Sequence, residues 1–430
     1  MERSFAKEIQ SLRLGAGATF QGEGILAVTK ALLQSGVSYV GGYQGAPVSH
    51  LLDVLVQAQD ILDELGIHLE TCTNEASAAA LLGASINYPA RGAVTWKSIV
   101  GTNVASDALS NLASAGVIGG ALIILGEDYG EGASVIQERS HAYAMKSSMW
   151  LLDPRPDLPT ITRCVEQGFA LSEASNTPVM MELRIRACHV TGEFPAKDNV
   201  AAKVSRNARQ TDPASFNYDR LSHPPATFMQ ERLKLERRLP AAQEFIQERG
   251  LNELIPGDLQ EIGIIVQGGL YNTLNRALMN LNLSDAFGRS RVPLLVLNVT
   301  YPLVPGQISQ FCAGKRAVLM VEEGSPEYIE QAIHTILRKA DINTRLHGKG
   351  MLPAAGEYTI EALTRGLLAF IKAEQPQIDI STGEAAFQTA LDTRRAAQAL
   401  IGPDLPMRPP TFCTGCPERP VFTAIKLVER

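Results

Sequence analysis

The stretch that decides the fold is residues 93–125, AVTWKSIVGTNVASDALSNLASAGVIGGALIIL. It opens with a short apolar run, residues 93–96, which predicts a buried strand. A helical pattern follows from about Val104 to Gly116, and a second apolar run, residues 121–125, predicts another buried strand. Strand, helix and strand in this order indicate a βαβ unit, in which the two strands lie parallel in one sheet.

The same alternation of strand and helix extends from about Gly22 to Leu183. Pro47 is predicted to open a helix of about 18 residues, because proline is well tolerated at the first helical position. Further strands are predicted at residues 37–40, 67–70 and 178–183, and further helices at 25–34, 75–85, 137–145 and 158–175. We therefore predict an α/β fold with a mainly parallel sheet that helices cover on both faces.

A charged, proline-rich region from about Glu193 to Asp258 breaks this rhythm and contains one long amphipathic pattern, residues 227–250. Beyond it the alternation resumes, with strands predicted at 262–266, 294–297 and 317–321 and helices at 271–282 and 327–339. The predicted division is a first α/β domain (1–192), a connecting segment with a helix (193–258), a second α/β domain (259–375) and a tail (376–430), helical at 383–400.

Composition narrows the classes of protein that the chain can be. The net charge of −6 argues against a dedicated nucleic-acid binder, which would carry a basic patch. Six scattered cysteines do not form a disulfide framework, so a cytoplasmic protein is expected. The N-terminus has no apolar region typical of a signal peptide, and polar residues and glycines interrupt the uncharged residues 108–126, so no membrane span is expected.

Glycines and polar residues follow the predicted strands of the first domain. The segments are 42–47 (GYQGAP), 71–75 (TCTNE), 97–103 (KSIVGTN) and 126–132 (GEDYGEG). Ligands bind outside the carboxyl ends of strands in open parallel sheets, so this edge is the predicted active site.

A dinucleotide site is the first alternative, because residues 22–27 (GEGILA) resemble the G-x-G-x-x-A fingerprint. That fingerprint follows a strand and needs an acid at the end of the next strand. Here Gly15-Ala-Gly17-Ala-Thr precedes the glycines, and the next predicted strand leads into Gly-Gly-Tyr-Gln. The sequence therefore argues against NAD binding.

Two charged residues at the predicted edge have a structural explanation as well as a functional one. Glu75 follows Asn74, a natural helix N-cap, and its carboxylate could simply complement the helix dipole, which stabilises a helix by about 0.3–1 kcal/mol. Lys97 could be a surface lysine whose stem lies along apolar neighbours. The residues alone leave both explanations open.

The ordered motifs GYQGAP, TNEASAAALLGA (73–84) and the stretch 93–125 resemble the alpha subunit of indolepyruvate:ferredoxin oxidoreductase, a thiamine-diphosphate-dependent 2-oxoacid oxidoreductase. PVMMELR (178–184), VTYPL (299–303), LMVEE (319–323) and RPPTFCTGCP (408–417) fit the same family in order. The resemblance covers nearly the whole chain. It implies a pyrimidine-binding domain followed by a transketolase-C-terminal-like α/β domain.

In that family the glutamate of the NE motif hydrogen-bonds N1′ of the aminopyrimidine of thiamine diphosphate, and Glu75 matches it. A proton shared with N1′ favours the imino tautomer, whose 4′-nitrogen can deprotonate thiazolium C2. The resemblance also implies cofactor contacts at Gly45 and Asn103. The family often has threonine or serine where this chain has Ala46, so Gln44 or Lys97 is expected to contact the substrate carboxylate instead.

Cys413 and Cys416 form a C-x-x-C pair, for which the residues leave three explanations: a zinc site, a redox dithiol or the opening of a further domain. The resemblance favours the third, since the family's C-P-G-C-P-H-R motif opens its diphosphate domain, although Glu418 here replaces the histidine. It also implies that Cys413 and Cys416 can ligate a [4Fe–4S] cluster in a complete assembly. Residues 411–430 are expected to be a stub of a missing domain, with Mg²⁺, the diphosphate and the cluster bound mainly outside this chain.

The resemblance implies that the complete enzyme converts an aryl-pyruvate and coenzyme A to an acyl-CoA and carbon dioxide, and reduces ferredoxin or a similar acceptor. The expected partners are a second copy of the chain, a diphosphate-domain or gamma/beta-type subunit, or both. Two alternatives stay open: the same chemistry on another 2-oxoacid, and a non-catalytic scaffold subunit.

Overall fold

Strands and helices alternate along most of the chain in the computed structural model, which describes residues 4–129, 136–207, 213–403, 406 and 419–429. The strands of the described residues are β1 (Thr19–Glu23), β2 (Tyr39–Gly42), β3 (His68–Thr71), β4 (Gly92–Lys97), β5 (Ala121–Gly126), β6 (Trp150–Leu152), β7 (Val179–Leu183), β8 (Thr191–Pro195), β9 (Glu253–Ile255), β10 (Ile262–Gln267), β11 (Leu294–Leu297), β12 (Val299–Tyr301), β13 (Ala317–Val321) and β14 (Arg345–His347).

The α-helices of the same residues are α1 (Gly24–Gln34), α2 (Ser49–Gln57), α3 (Gln59–Leu65), α4 (Glu75–Leu81), α5 (Ala84–Asn87), α6 (Val100–Val104), α7 (Ser106–Ala115), α8 (Ser140–Ser147), α9 (Leu158–Ser175), α10 (Ile185–His189), α11 (Ala226–Leu233), α12 (Leu239–Glu248), α13 (Tyr271–Asn280), α14 (Pro305–Cys312), α15 (Tyr328–Lys339), α16 (Ile360–Glu374), α17 (Ser381–Ile401) and α18 (Arg419–Val428).

A seven-stranded sheet with the order β12-β6-β7-β5-β4-β2-β3 forms the first α/β unit. All its neighbouring strands are parallel except β12, which runs antiparallel to β6. Apolar side chains of α1, α2 and α9 pack on one face, and those of α4 and α7 pack on the other. The predicted parallel sheet with helices on both faces is confirmed.

A five-stranded sheet with the order β14-β13-β10-β11-β9 forms the second unit. It is parallel except for β9, which runs antiparallel to β11. Helices α13 and α16 pack on one face, and α14 and α15 on the other, each around its own apolar core. The predicted second α/β unit is therefore present.

Strand β12 connects the two units in a way that the sequence did not predict. It follows β11 of the smaller sheet by one residue, yet it pairs with β6 of the larger sheet, with Val299 opposite Leu152. The segment 299–301 therefore lies at the edge of the first sheet, although the predicted boundaries assign it to the second domain. The boundaries themselves stay a proposal.

The connecting region contains a continuous helical rod, in which one π-helical turn, Lys234–Arg238, joins α11 to α12. Arg238 is buried and donates hydrogen bonds to the backbone carbonyls of Ala113 (2.8 Å) and Ala115 (3.2 Å). Those carbonyls lie at the C-terminus of α7, where a cation is favourable. The rod is thereby fixed to the first sheet's covering helices.

The predictions for the helix at Pro47 and for the glycines of residues 22–27 differ from the structure. The helix predicted to open at Pro47 begins at Ser49 and is interrupted at Ala58, giving α2 and α3. Pro47 instead lies in a turn that packs against Gly126, where a methyl group would come within 2.6 Å of the Pro47 ring. The first glycine of residues 22–27, Gly22, lies within a strand, β1, but β1 pairs antiparallel with β8 in a separate two-stranded sheet.

Residues 108–126 form the end of α7, a turn at Gly116 and β5, as predicted. In the described part of the chain, no helix combines the length and the apolar character that a membrane crossing needs.

Candidate active site

The loops after β2, β3, β4 and β5 are joined at the carboxyl edge of the larger sheet. The ladder of backbone hydrogen bonds continues past the strand ends, from Tyr43 N to Thr95 O (3.0 Å), from Cys72 N to Gly42 O (2.9 Å) and from Ser98 N to Gly126 O (2.8 Å). These bonds hold the four polar loops as one edge, so the residues on them have defined positions relative to one another.

Glu75 is the first residue of α4, as predicted. Asn74 caps the helix, because its side-chain oxygen accepts a hydrogen bond from Ser77 N (2.9 Å). Only 8% of Glu75 is exposed, and burial raises the pKa of its carboxyl group. No other residue in the described part of the chain hydrogen-bonds to this carboxylate, so it is a buried acid that can still accept a partner.

Gly45 and Lys97 are in contact across two loops. A methyl group on Gly45 would lie 2.4 Å from Lys97 Cβ and 3.0 Å from Lys97 N. The close approach of the GYQGAP loop to the end of β4 therefore requires glycine at position 45. Lys97 is half-buried. Burial of Asp128 raises the pKa of its carboxyl group, and the positive charge of Lys97 is one of those that reduce this rise.

The remaining predicted residues flank this contact. Gln44 donates a hydrogen bond from Nε2 to Asp53 Oδ1 (2.8 Å), and Ala46 follows Gly45 in the same loop. Asn103 lies on the exposed side of α6, where its side-chain oxygen accepts a hydrogen bond from the hydroxyl of Tyr143 (3.1 Å). The structure thus brings Gln44, Gly45, Ala46 and Lys97 together and places Glu75 and Asn103 on the adjacent α4 and α6. Cys413 and Cys416 lie outside the described residues.

Sequence reasoning missed a buried group of charged side chains that joins the carboxyl ends of strands from both large sheets. We call it the inter-sheet cluster; its members are Glu127, Arg139, Asp153, Glu182, Arg184, Glu322 and Glu323, each less than a tenth exposed. Glu322 and Glu323 follow β13 directly, and Glu182 lies within β7. Acidic residues in or just after otherwise apolar strands were the available signal in the motifs PVMMELR and LMVEE.

Two arginines hold the inter-sheet cluster together. Arg139 donates a hydrogen bond to Glu322 Oε1 (2.5 Å), and Arg184 donates to Glu323 and to Asp153 Oδ2 (3.1 Å). Glu127 accepts hydrogen bonds from the Ser140 backbone N–H and from the hydroxyl of Tyr129. The cluster therefore ties the ends of β5 and β7 to the end of β13.

The chain is similar to known proteins over most of its length. It is 28% identical to "Indolepyruvate oxidoreductase subunit IorA" of Methanothermobacter thermautotrophicus over 93% of its length, which is 59% of that protein. The same subunit of Pyrococcus horikoshii is 24% identical over 93% of this chain and 58% of its own length. The chain resembles indolepyruvate oxidoreductase alpha subunits. The resemblance inferred from the motifs is thus confirmed, and the chain spans about three fifths of the length of these relatives.

A solved structure shows the same fold. "2-Oxoglutarate:ferredoxin oxidoreductase from Magnetococcus marinus", with 2-oxoglutarate, coenzyme A and succinyl-CoA bound, superposes with a TM-score of 0.60 at 15% identity, over 82% of this chain and 65% of that chain. The predicted fold class is confirmed by this likeness. No protein-family model matches the chain.

The charges of the inter-sheet cluster lead to a prediction for Glu182. Five carboxyl groups face two guanidinium groups, and Glu182 Oε1 is buried 3.6 Å from Arg184 without a hydrogen bond from the described residues. Burial, followed by the charges of Glu127 and Asp153, raises the pKa of Glu182 well above its usual 4.5, so this group keeps its proton to a higher pH in the folded protein than in the unfolded chain.

The unfolded chain releases the Glu182 proton above its ordinary pKa of 4.5, whereas the folded protein retains this proton to a higher pH. The contribution of Glu182 to the free energy of unfolding is therefore lost as the pH rises through the folded-state pKa. Glu182→Gln has no such proton. We expect the free energy of unfolding of Glu182→Gln, relative to the wild type, to increase between about pH 5 and about pH 8. Urea unfolding at both pH values measures this, with the exposed Glu248→Gln as the control. A difference that stays constant with pH would contradict a raised pKa of Glu182.

Proposed function

We propose that this chain supplies the acid that activates thiamine diphosphate in a 2-oxoacid oxidoreductase. The observation that carries the proposal is Glu75, a buried carboxyl group with a raised pKa and no partner among the described residues, at the carboxyl edge of a parallel sheet. The similarity to indolepyruvate oxidoreductase subunits over 93% of the chain supports the choice of cofactor.

The described residues fit one end of this cofactor. An aminopyrimidine ring needs one hydrogen-bonding acid, which Glu75 provides. In the described ranges there is no group of three or more His, Cys, Asp or Glu side chains that could hold a metal ion. We propose Mg²⁺ and a [4Fe–4S] cluster for the complete enzyme. When bound, thiamine diphosphate supplies the nucleophilic carbon that adds to the 2-oxoacid carbonyl.

The role of Glu75 follows from its environment. Its raised pKa brings its proton affinity closer to that of a ring nitrogen, so a proton can be shared between them instead of residing on one. Burial also keeps water from competing for the carboxylate. We propose that the absence of a side chain at Gly45 lets the backbone approach the cofactor closely. We propose that the side chain of Asn103 makes a polar contact with the cofactor.

Substrate recognition is proposed for Lys97, with Gln44 beside it. Ala46 has no hydroxyl group, so it cannot donate a hydrogen bond to a substrate carboxylate. The backbone and Cβ of Lys97 lie against Gly45 of the same loop, and we assign to its ammonium group the pairing with the substrate carboxylate. This arrangement suits any 2-oxoacid. An aryl-pyruvate is the proposed substrate, with coenzyme A as the acyl acceptor and ferredoxin or a similar protein as the electron acceptor, because the curated relatives are named for indolepyruvate.

Assembly with a further polypeptide or segment is part of the proposal. Glu75 contacts only the pyrimidine end of the cofactor. A second copy of this chain, or a subunit with a diphosphate domain, therefore completes the site. The strand ends near Gly45, Glu75 and Lys97 are then buried in the assembly.

Turnover by the complete enzyme tests the proposed function. We expect coenzyme-A-dependent release of carbon dioxide from indolepyruvate and phenylpyruvate, with kcat/KM about tenfold or more above that for branched-chain 2-oxoacids, as a fitted apolar pocket would give. Omission of thiamine diphosphate is the control and should abolish turnover. Preference for a branched-chain acid would replace the aryl substrate by another 2-oxoacid, and activity without the cofactor would contradict the proposed chemistry.

A further inference from the structure

Helix α6 lies against the carboxylate of Glu75 through a residue that has no side chain. A methyl group built on Gly101 would lie 2.7 Å from Glu75 Cγ and 2.9 Å from Glu75 Oε1. It would also lie 2.6 Å from Cδ1 of the Trp96 indole. Carbon atoms in proteins do not approach this closely, so one of these neighbours has to move if position 101 carries a side chain.

The indole of Trp96 is fixed on all sides. It is fully buried, and its N–H donates a hydrogen bond to Thr102 Oγ1 (3.2 Å). The Thr102 hydroxyl is in turn within 3.0 Å of Ser98 Oγ, which is hydrogen-bonded to Ser140 Oγ. This chain of hydrogen bonds keeps the indole donor directed away from Glu75 and resists any displacement of the ring.

The backbone of Glu75 is fixed as well, because Asn74 caps α4 and the loop before it continues the sheet ladder at Cys72. The side-chain torsions of Glu75 are therefore the part of this contact that can give way. A side chain at position 101 would rotate the carboxylate out of its place between α4 and α6.

We propose that Gly101 is a positioning residue for the reaction: its bare Cα, with the fixed Trp96 ring beside it, sets the position of the Glu75 carboxylate towards the aminopyrimidine of the cofactor. This inference rests on the proposed function. Gly101 lies on α6, whereas the acid Glu75 lies on α4. Gly101 therefore affects the reaction only through the position of Glu75 and touches no reacting atom.

The consequence for catalysis is geometric. A displacement of about 1 Å of a group that must share a proton costs on the order of 100-fold in rate. Gly101→Ala should therefore lower kcat of the complete enzyme by about 10- to 100-fold. The KM for thiamine diphosphate should change much less, since the diphosphate is held elsewhere. Gly306→Ala is the matched control, because Gly306 also lies in a helix and a methyl group there meets nothing within 4 Å.

Two further measurements separate positioning from a general loss of structure. In a double-mutant cycle, Gly101→Ala should cost little more once Glu75→Gln is present, since both changes act on the same carboxylate. A crystal structure of the cofactor-free Gly101→Ala chain should show the Glu75 carboxylate displaced and Trp96 in place. If that variant does not fold, Glu75→Asp serves as the second test, because it keeps the acid but withdraws it by one methylene.

The outcomes are distinct. Retention of wild-type kcat by Gly101→Ala, multiplicative losses in the cycle, an unmoved carboxylate, or wild-type kcat for Glu75→Asp would each overturn the positioning role while leaving the proposed function intact. Full activity of Glu75→Gln would instead overturn the proposed function, and the positioning role with it.

Discussion

The Glu75→Gln variant of the complete enzyme is expected to lose on the order of 100- to 10,000-fold in kcat, the range for removal of a general acid or base. Glutamine has nearly the shape of glutamate, so the packing against Gly101 is kept. It cannot exchange a proton with a ring nitrogen, so the cofactor would bind without being activated. Steady-state turnover with the best 2-oxoacid, together with cofactor binding, measures both halves of this expectation.

Glu70→Gln is the matched control for this experiment. Glu70 lies near the end of β3, is exposed and contacts only His68 among the described charged groups, at 3.3 Å. It should retain activity close to that of the wild type, because its side chain is exposed and has no role in the proposed site. If Glu75→Gln is as active as Glu70→Gln and the assembly is intact, the chain is a scaffold subunit and the catalytic role is wrong.

Arg184→Met is expected to lower the free energy of unfolding by about 3–5 kcal/mol, the range for removing one partner from a buried ion pair. Arg184 is buried and hydrogen-bonded to Glu323 and Asp153, and its guanidinium lies over the ring of Tyr129. Methionine fills part of the space but removes the guanidinium group that pairs with these buried carboxylates. Urea unfolding of the chain at neutral pH measures the change.

Arg186→Met is the control, because Arg186 lies two residues further along the chain and pairs with Glu357 at a site where both side chains are about two fifths exposed. Exposed ion pairs contribute about 0–1 kcal/mol, so this variant should be nearly as stable as the wild type. If the two variants lose the same free energy of unfolding, the buried ion pairs of Arg184 do not stabilise the protein more than the exposed pair of Arg186 does.

The predictable parts of the fold are those whose signals are local. Helix α9 was predicted with its bounds, because Asp157 caps it through Thr160 N (2.9 Å), proline follows at the second position and Asn176 ends it in a left-handed conformation. The buried strands β5, β11 and β13 were likewise evident as apolar runs between polar loops. Glu75 was assigned a catalytic role from the resemblance, since on the residues alone an N-capped acid before an apolar helix also has a structural explanation.

The parts that could not be predicted depend on distant partners. Strand β6 has three residues, too few for a periodic pattern, and β12 takes its place only by pairing with it. Arg139 and Arg184 meet Glu322 and Glu323 across more than a hundred positions of sequence, so no spacing rule reveals them. Gly101 was one of several glycines among the four polar segments at the predicted active edge, and its contact with Glu75 exists only once α4 and α6 are packed.

Strand β12 also governs the order in which the sheets can be completed during synthesis. Its partner β6 ends at residue 152, but β12 begins at residue 299, after β10 and β11 of the smaller sheet have been translated. Until then β6 presents an open edge with unpaired backbone groups, the feature by which sheets recruit other chains. Pairing over so long a separation is also slow to form. Strands of the smaller sheet are therefore synthesised before the larger sheet can be completed. The nascent chain keeps the open edge at β6 until residue 301 has left the ribosome.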